Sequence, residues 1–142
     1  MKTEMERYKI LAQFVKDASC ETKDIQTFLF VKDYISKYSL TIDIASKVTK
    51  NKLIEINTTL KFEDKEDREK NAYFEITYTT IVKINEKIKE KDDLSKIILV
   101  DVQNEIYPKI EKTFLNLLHN SGYKNVSTKK VDFEKLYENR SN

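Results

Sequence analysis

Glycine, proline, cysteine and histidine each occur once in this chain of 142 residues, and tryptophan does not occur at all. With Gly122 as its single glycine, the chain cannot form the glycine-rich loops that cradle nucleotide phosphates. With Cys20 as its single cysteine, it cannot form an internal disulfide, and a reducing compartment fits this composition. We therefore expect a cytoplasmic protein that needs no cofactor.

Side chains suited to catalysis are equally scarce. General acid–base or nucleophilic catalysis needs several positioned groups, whereas this chain has one histidine, one cysteine and no serine in a strained, glycine-flanked turn. His119 lies near the predicted end of a helix, where a cationic imidazole is favourable. Cys20 has no histidine or second cysteine nearby in sequence with which to share a metal. We expect neither an enzyme nor a metal site.

Long apolar runs and an excess of one charge are absent too. No window approaches the roughly 18 apolar residues of a membrane span, and residues 1–7 hold no apolar stretch of the kind that a signal peptide needs. The 26 basic and 24 acidic residues nearly cancel, and they are interleaved along the chain. We therefore expect no stable membrane insertion and no nucleic-acid partner.

The chain does have the composition of a folded domain, with 11% aromatic and 35% charged residues. Its length suits a single domain that spans residues 1–142. Within this domain we expect residues 1–7 and 138–142 to be flexible tails.

Strands are predicted from alternating apolar and polar positions. Three segments show this period, which is typical of half-buried strands: residues 38–48, 54–62 and 73–84. Residues 8–21 fit both a strand and a helix, and we interpret them as a strand that covers an edge of the other three. The alternation shifts where Ile81 and Val82 are adjacent, which predicts a β-bulge there. The charged residues 63–70 are interpreted as an exposed loop.

The last third of the chain has a helical pattern, because apolar residues recur at three- and four-residue spacing over residues 97–118. Pro108 must kink such a helix or lie near its start, so we predict a long helix over residues 108–120. Residues 131–137 fit a short helix capped by Asp132. These patterns predict an α+β fold, in which a four-stranded antiparallel sheet packs with a long C-terminal helix and a short terminal helix.

Residues 25–35, between the first two predicted strands, hold Phe28, Phe30 and Tyr34 in what we predict to be a connection rather than a regular element. Such an apolar connection has to be covered. Either the protein's own core covers it, or a bound chain or a neighbouring subunit does, and both interpretations stay open.

Several short motifs, in the same order, resemble the SecB family of bacterial export chaperones. The first matches the family's K-D-x-S-x-E signature, and the others are similar to its F-x-K-D-W, Phe-Pro, Gly-Phe and closing hydrophobic-N-F-x-x-L-[FY] segments. In chain order they are residues 16–21, residues 30–34, Tyr107-Pro108, Gly122-Tyr123 and residues 131–137. The resemblance covers residues 8–137.

This resemblance implies a SecB-like fold, assembled as a homotetramer (a dimer of dimers) through the first strand and the long helix. It also implies a holdase that binds unfolded preproteins in apolar grooves and delivers them to the SecA motor, without nucleotide or metal. Family members dock the motor's basic tail on an acidic sheet face, which corresponds here to Asp17, Glu21 and Glu75. We predict a client groove lined by Phe28, Phe30, Tyr34, Tyr123 and Val126.

Strand geometry and apolar area add two expectations. Residues two or four apart share a strand face, so Asp17 and Glu21 should face solvent while the alternate positions are apolar. The apolar segments 8–14 and 106–118 offer more area than one sheet-and-helix layer covers, which also favours a tetramer. A dedicated chaperone of one client, such as an antitoxin, and a non-chaperone oligomeric scaffold remain alternatives.

Overall fold

The computed structural model describes residues 6–49, 51–66 and 68–140, which form four strands and four α-helices. In chain order the elements are β1 (Tyr8–Glu21), α1 (Ile25–Tyr34), a 3₁₀ turn (Ile35–Lys37), β2 (Ser39–Val48), β3 (Ile54–Glu63), β4 (Tyr73–Ile84), α2 (Lys91–Lys96), a π-helical turn (Ile97–Asp101), α3 (Val102–Asn120) and α4 (Phe133–Asn139). The strands form one antiparallel sheet in the order β1–β4–β3–β2, with β1 and β2 at its edges. The predicted α+β fold is confirmed.

The core lies between α3 and one face of the sheet. On this face β3 and β4 present side chains that are at most 5% exposed: Ile56, Leu60, Phe62, Phe74, Ile76, Tyr78 and Val82. From α3 the core takes Ile106, Ile110, Phe114 and Leu118, which recur at four-residue spacing and are at most 1% exposed. Burying one such side chain stabilises the fold by about 1.5–3 kcal/mol. Because the protomer already covers this stripe, segment 106–118 does not supply the exposed area from which we predicted a tetramer.

The bulges lie on β1, not on β4 as predicted. β4 pairs with β3 in unbroken register. The register between β1 and β4 shifts twice, and the extra residues on β1 are Leu11 and Lys16. The adjacent Ile81 and Val82 instead lie on opposite faces of a central strand, where Val82 is fully buried and Ile81 partly buried. Two adjacent apolar residues in this central strand therefore reflect burial on both of its faces, not a bulge.

Residues 25–34 form helix α1, so the prediction of an irregular connection is wrong. Asp24 caps this helix, since its Oδ1 accepts a hydrogen bond from the Thr27 N–H at 2.8 Å. Hydrogen bonding from Thr27, first by its side chain and then by its backbone N–H, lowers the pKa of Asp24. No glycine or proline interrupts the segment, so nothing in it opposes a helix once the cap is in place. Thr27 and Val31 are buried, and the protein's own core thus covers one face of α1.

The long helix begins well before Pro108, contrary to the prediction. Residues 91–120 run through α2, the π-helical turn and α3 without a break. Pro108 lies exposed inside α3, where it removes one backbone hydrogen bond without ending the helix. Gly122 does end it: its φ is +102°, and the following Tyr123 N–H donates to the Leu118 carbonyl at 3.1 Å.

The charged segment 63–70 is not the fully exposed loop that we predicted. The Asp64 side chain is only 3% exposed and pairs with the Arg68 guanidinium. The hydrogen bond from Arg68 holds the pKa of Asp64 below its ordinary value. The guanidinium carbon of Arg68 also lies 5.1 Å from the centre of the Tyr34 ring. The loop between β3 and β4 is thereby attached to the end of α1.

The last helix, α4, is capped by Asp132 as predicted, with the Lys135 N–H donating to Asp132 Oδ1 at 3.0 Å. Glu138 and Asn139, which we expected in a tail, belong to this helix. Of the expected tails, residues 1–5 and 141–142 lie outside the described residues. No helix in the described part of the chain is long and apolar enough to cross a membrane.

Candidate functional site

An open groove of about 810 Å³ runs between the edge strand β2 and helix α4. Residues of the linker between α3 and α4 also line it, as does Lys65 of the β3–β4 loop. The apolar side chains that line it, which we call the groove floor, are Tyr38, Leu40, Ile42, Phe62, Val131 and Leu136. The site is therefore an apolar trough beside a sheet edge.

Tyr38 anchors the sheet side of the groove floor. Its ring packs against Phe62 with 5.5 Å between ring centroids, and its hydroxyl accepts a hydrogen bond from the Ala72 N–H at 2.9 Å. Burial raises the pKa of Tyr38, so the hydroxyl stays neutral. Leu40 and Ile42 follow on β2 and, two residues apart, face the same side of the sheet. The two-residue period of the strand thus places both apolar side chains on the same wall of the groove.

Phe133 fixes the opposite wall of the groove. Its ring is 3% exposed and packs edge-on against Tyr107 of α3, with 5.2 Å between the ring centroids. The Tyr137 hydroxyl donates to the Asp92 carbonyl at 3.2 Å. These contacts hold α4 beside the sheet, while Leu136 stays 51% exposed where it lines the groove.

The five predicted client residues are not among the described residues that line this groove. Tyr123 and Val126 are 2% and 8% exposed and belong to the core. Phe28 packs on Tyr123 with 5.1 Å between ring centroids, and Phe30 stacks on Tyr34 at 4.7 Å. The structure therefore places four of them in two aromatic pairs, with Val126 in the core, and contact of all five with a client stays a prediction.

The groove floor was missed by the sequence reasoning. Leu40 and Ile42 were recognised as one face of a strand, but their role in a groove depends on α4 returning beside β2, which is a tertiary contact. One feature of the sequence could have indicated the groove floor. Leu136 lies in a short, highly charged helix whose own core contact is Phe133. An additional apolar residue on such a helix indicates a second contact surface.

Asp17, Glu21 and Glu75 lie together on the outer face of the sheet, opposite the helices, because the β1–β4 register places all three on that side. Asp17 and Glu21 are exposed, as the strand period predicts. The Tyr73 hydroxyl donates a hydrogen bond to Glu75, and this bond raises the pKa of Tyr73 to about 12. Lys61 Nζ lies 3.9 Å from Glu75 and partly offsets its charge.

The other edge strand, β1, exposes apolar side chains in its middle. Leu11, Phe14 and Val15 are 45%, 50% and 44% exposed. At its start the Tyr8 hydroxyl donates to Glu105 of α3 at 2.5 Å, and desolvation together with this bond raises the pKa of Tyr8. β1 is thus fixed to α3 at one end and leaves an apolar patch further along.

Comparison with known proteins shows the family of the chain. A family model described as preprotein translocase subunit SecB matches residues 1–142. A Pelagibacter ubique (strain HTCC1062) protein, named as a protein-export protein SecB, is 54% identical over 138 residues, which cover 96% of this chain and 99% of the relative. The fold is similar to that of the Mycobacterium tuberculosis SecB-like chaperone in complex with a ChAD peptide from an antitoxin. That match has a TM-score of 0.59 and 9% identity, and it covers 88% of this chain and 91% of the other. From the whole-chain family match and the 54% identity, the chain belongs to the SecB family, whose members are chaperones and not enzymes.

Proposed function

We propose that this protein is a holdase that binds extended apolar segments of unfolded preproteins in the groove between β2 and α4 and delivers them to the SecA motor. The observation that carries the proposal is the apolar groove floor beside an edge strand. An extended client can lie along β2 as an added strand and place alternate side chains in the groove.

The size of the groove suits several client side chains. Its volume of about 810 Å³ lies within the range of about 300–1,000 Å³ that is typical of ligand pockets. Each apolar side chain that a client buries contributes about 1.5–3 kcal/mol. Three such side chains together with backbone pairing approach the roughly 8 kcal/mol of a micromolar complex. Because these terms do not require a defined sequence, the proposed binding is broad.

We extend the client surface onto α1. Phe28, Phe30 and Tyr34 are only partly buried, and α1 leads directly into the turn that lines the groove. Broad aromatic surfaces accept clients of many shapes. Tyr123 and Val126 are buried, so in this proposal they support the aromatic surface from beneath.

Serine substitutions separate client contact from core packing. Phe30→Ser and Tyr34→Ser should weaken client binding with little change in Tm, because neither side chain is fully buried. Phe28→Ser should also lower Tm, because Phe28 packs on Tyr123 and lies next to Gly122. If all three variants unfold or lose their assembly instead, these aromatics are structural and the client surface is confined to the groove.

We propose further that the basic tail of SecA docks on Asp17, Glu21 and Glu75. These carboxylates lie on the sheet face opposite the groove floor, so a docked motor and a bound client do not compete for one surface. With a net charge of +2 the chain as a whole does not attract a basic partner, and attraction has to come from this local cluster.

The assembly that we propose is a homotetramer, a dimer of dimers, located in the cytoplasm where preproteins would meet SecA. The exposed apolar patch of β1 supports the assembly, because a patch of this kind on an edge strand favours pairing with another chain.

Suppression of aggregation tests the proposed function. Several unrelated unfolded proteins are diluted from denaturant with and without this chaperone, and turbidity is followed. Broad suppression is expected. Suppression for one client only would indicate a dedicated chaperone, for example of an antitoxin, and no suppression would indicate a non-chaperone scaffold.

A further inference from the structure

We propose that the groove selects client segments whose apolar residues are flanked by acidic residues. This inference rests on the proposed function, since it names the client chemistry of the same groove. The charged side chains that line the groove are four lysines and one aspartate: Lys65, Lys129, Lys130, Lys135 and Asp132. We call the four lysines the basic rim.

The basic rim comes from three different segments that line the groove. Lys65 comes from the β3–β4 loop, Lys129 and Lys130 from the α3–α4 linker, and Lys135 from α4. All four are exposed, so their ammonium groups are available to a ligand. Within residues 6–49, 51–66 and 68–140, no carboxylate forms an ion pair with the three rim lysines after residue 128.

Two carboxylates at or beside the groove lining, those of Asp132 and Glu111, accept hydrogen bonds. Asp132 directs its carboxylate at the N-terminus of α4, where it accepts the Lys135 N–H. Glu111 of α3, which lies beside the lining, accepts a hydrogen bond from the hydroxyl of the lining residue Thr128. Four lysines against these two carboxylates leave the groove locally positive.

This local charge differs from that of the outer sheet face. There Asp17, Glu21 and Glu75 form an acidic cluster, although the whole chain is close to neutral. A segment with acidic flanks is therefore attracted to the groove and repelled from this acidic cluster, whereas a basic segment has the opposite preference. The contrast between the groove lining and the acidic cluster makes acidic flanks the chemistry that the groove fits.

Synthetic peptides test the preference. Three labelled peptides share one aliphatic and aromatic core and carry flanks of glutamate, glutamine or lysine, and their binding to the full chain is measured by fluorescence anisotropy. We expect the glutamate-flanked peptide to bind about tenfold more tightly than the glutamine-flanked one, because a few exposed ion pairs each contribute little. The lysine-flanked peptide should bind most weakly.

Salt dependence separates the charge contribution from the apolar one. Raising the ionic strength from about 0.01 M to about 1 M shortens the Debye length from about 30 Å to about 3 Å. The advantage of the glutamate-flanked peptide should then disappear, while the glutamine-flanked peptide changes little.

Matched variants assign the preference to the basic rim. The first variant replaces lysine by glutamine at all four rim positions, Lys65→Gln, Lys129→Gln, Lys130→Gln and Lys135→Gln, and it should bind all three peptides equally. The control replaces four exposed lysines that do not line the groove, Lys9→Gln, Lys83→Gln, Lys87→Gln and Lys89→Gln. It has the same net charge as the first variant and should keep the preference.

The results distinguish a failure of the proposed charge preference from a failure of the proposed holdase function. Equal binding of the three peptides by the wild type, or tighter binding of the lysine-flanked peptide, overturns the inference and leaves the holdase function intact. Loss of the preference in the control variant overturns its assignment to the groove. Binding of none of the peptides contradicts the proposed function itself.

Discussion

The two edge strands of the sheet, β1 and β2, differ in regularity. Each pairs with one neighbour within the protomer, so each has one side of its backbone without a strand partner in the described part of the chain. β1 carries extra residues at Leu11 and Lys16, whereas the ten residues of β2 pair with β3 in unbroken register. The exposed apolar side chains of β1 (Leu11, Phe14 and Val15) extend from its first bulge to its second, whereas Leu40 and Ile42 of β2 line the groove.

This difference indicates what each edge accepts. A bulged strand presents its backbone groups at irregular spacing, so it pairs well only with a partner of matching shape, such as a second copy of the same chain. A regular strand pairs with any extended chain. The comparison therefore supports assembly at β1 and client binding at β2.

The largest expected effect is loss of assembly when the apolar patch of β1 becomes charged. The double substitution Leu11→Asp and Phe14→Asp should dissociate the proposed tetramer, because burying two unpaired carboxylates in an interface is unfavourable. Both side chains are about half exposed in the protomer, so its circular dichroism should be unchanged. Light scattering measures the mass.

Ala45→Asp is the matched control at the other edge, since Ala45 is an exposed residue of β2. It should leave the mass unchanged. A wild-type protein that is already monomeric at micromolar concentration would contradict the proposed assembly, and dissociation by Ala45→Asp would move the interface to β2.

How well the sequence predicted the strands, the helices and the groove depends on how far apart in the chain the contacting residues lie. Strands β2, β3 and β4 follow from alternation, a local pattern, whereas β1 was assigned because the other three strands leave an edge to cover. The α4 cap at Asp132 follows from local chemistry. Helix α1 was not predicted, because the aromatic residues in it do not by themselves indicate a helix. The local signal for it is the cap at Asp24. The start of the long helix was missed because Pro108 was given too much weight.

The groove could not be predicted in this way. It forms because the α3–α4 linker and α4 return to β2, more than eighty residues earlier in the chain. Bulges at Leu11 and Lys16 were likewise not visible, since register depends on which strand is the partner. Exposure of Asp17 and Glu21 to solvent was predictable, because the two-residue period of a strand alone decides which residues share a face.

The second prediction sharpens the assignment of clients to β2. Leu136→Asn should weaken client binding by about tenfold or more, because it removes one apolar contact of about 1.5–3 kcal/mol from the groove floor. Its effect on Tm should be small, since Leu136 is 51% exposed. Client affinity is measured by fluorescence anisotropy with an unfolded preprotein.

Leu29→Asn is the matched control, because Leu29 is 52% exposed on α1 and does not line the groove. A smaller loss of affinity than in Leu136→Asn is expected for this variant, because α1 only extends the proposed client surface beyond the groove. An equal loss in both variants would place the principal client contact on α1 instead of beside β2.

The third prediction concerns the outer face at the β1 edge. Asp17→Lys with Glu21→Lys should weaken binding of the SecA tail by about tenfold at low salt, because attraction by the acidic cluster becomes repulsion. The difference should shrink as salt is added, and client holding should not change. Titration calorimetry with a synthetic basic tail measures the affinity.

The control reverses two exposed carboxylates elsewhere, with Asp43→Lys on β2 and Glu86→Lys after β4. It has the same net charge as the first variant, so a loss of equal size in both would show that overall charge, and not the acidic cluster, governs binding of the tail.

The smallest expected effect concerns Glu55 of β3, a carboxylate that side chains from both edges approach on the outer face. Lys16 of β1 lies 4.0 Å from it, and Lys47 of β2 lies 3.9 Å from it. The Asn57 side-chain amide donates a hydrogen bond to Glu55 at 2.8 Å. This hydrogen bond, assisted by the two ammonium groups, lowers the pKa of Glu55.

A carboxylate whose pKa is lower in the folded state stabilises the fold above its unfolded pKa, and this stabilisation is lost as the pH falls through the folded pKa. Glu55→Gln should therefore lower Tm slightly near neutral pH, and the difference from the wild type should vanish well below the ordinary glutamate pKa of about 4.3. Asn57→Ala removes the main cause of the shift and should reduce the pH dependence that Glu55 contributes. Thermal melts over this pH range measure both effects. A difference between wild type and Glu55→Gln that stays constant down to about pH 3 would show that the charge of Glu55 does not link the two edges, because a protonated carboxyl attracts neither lysine.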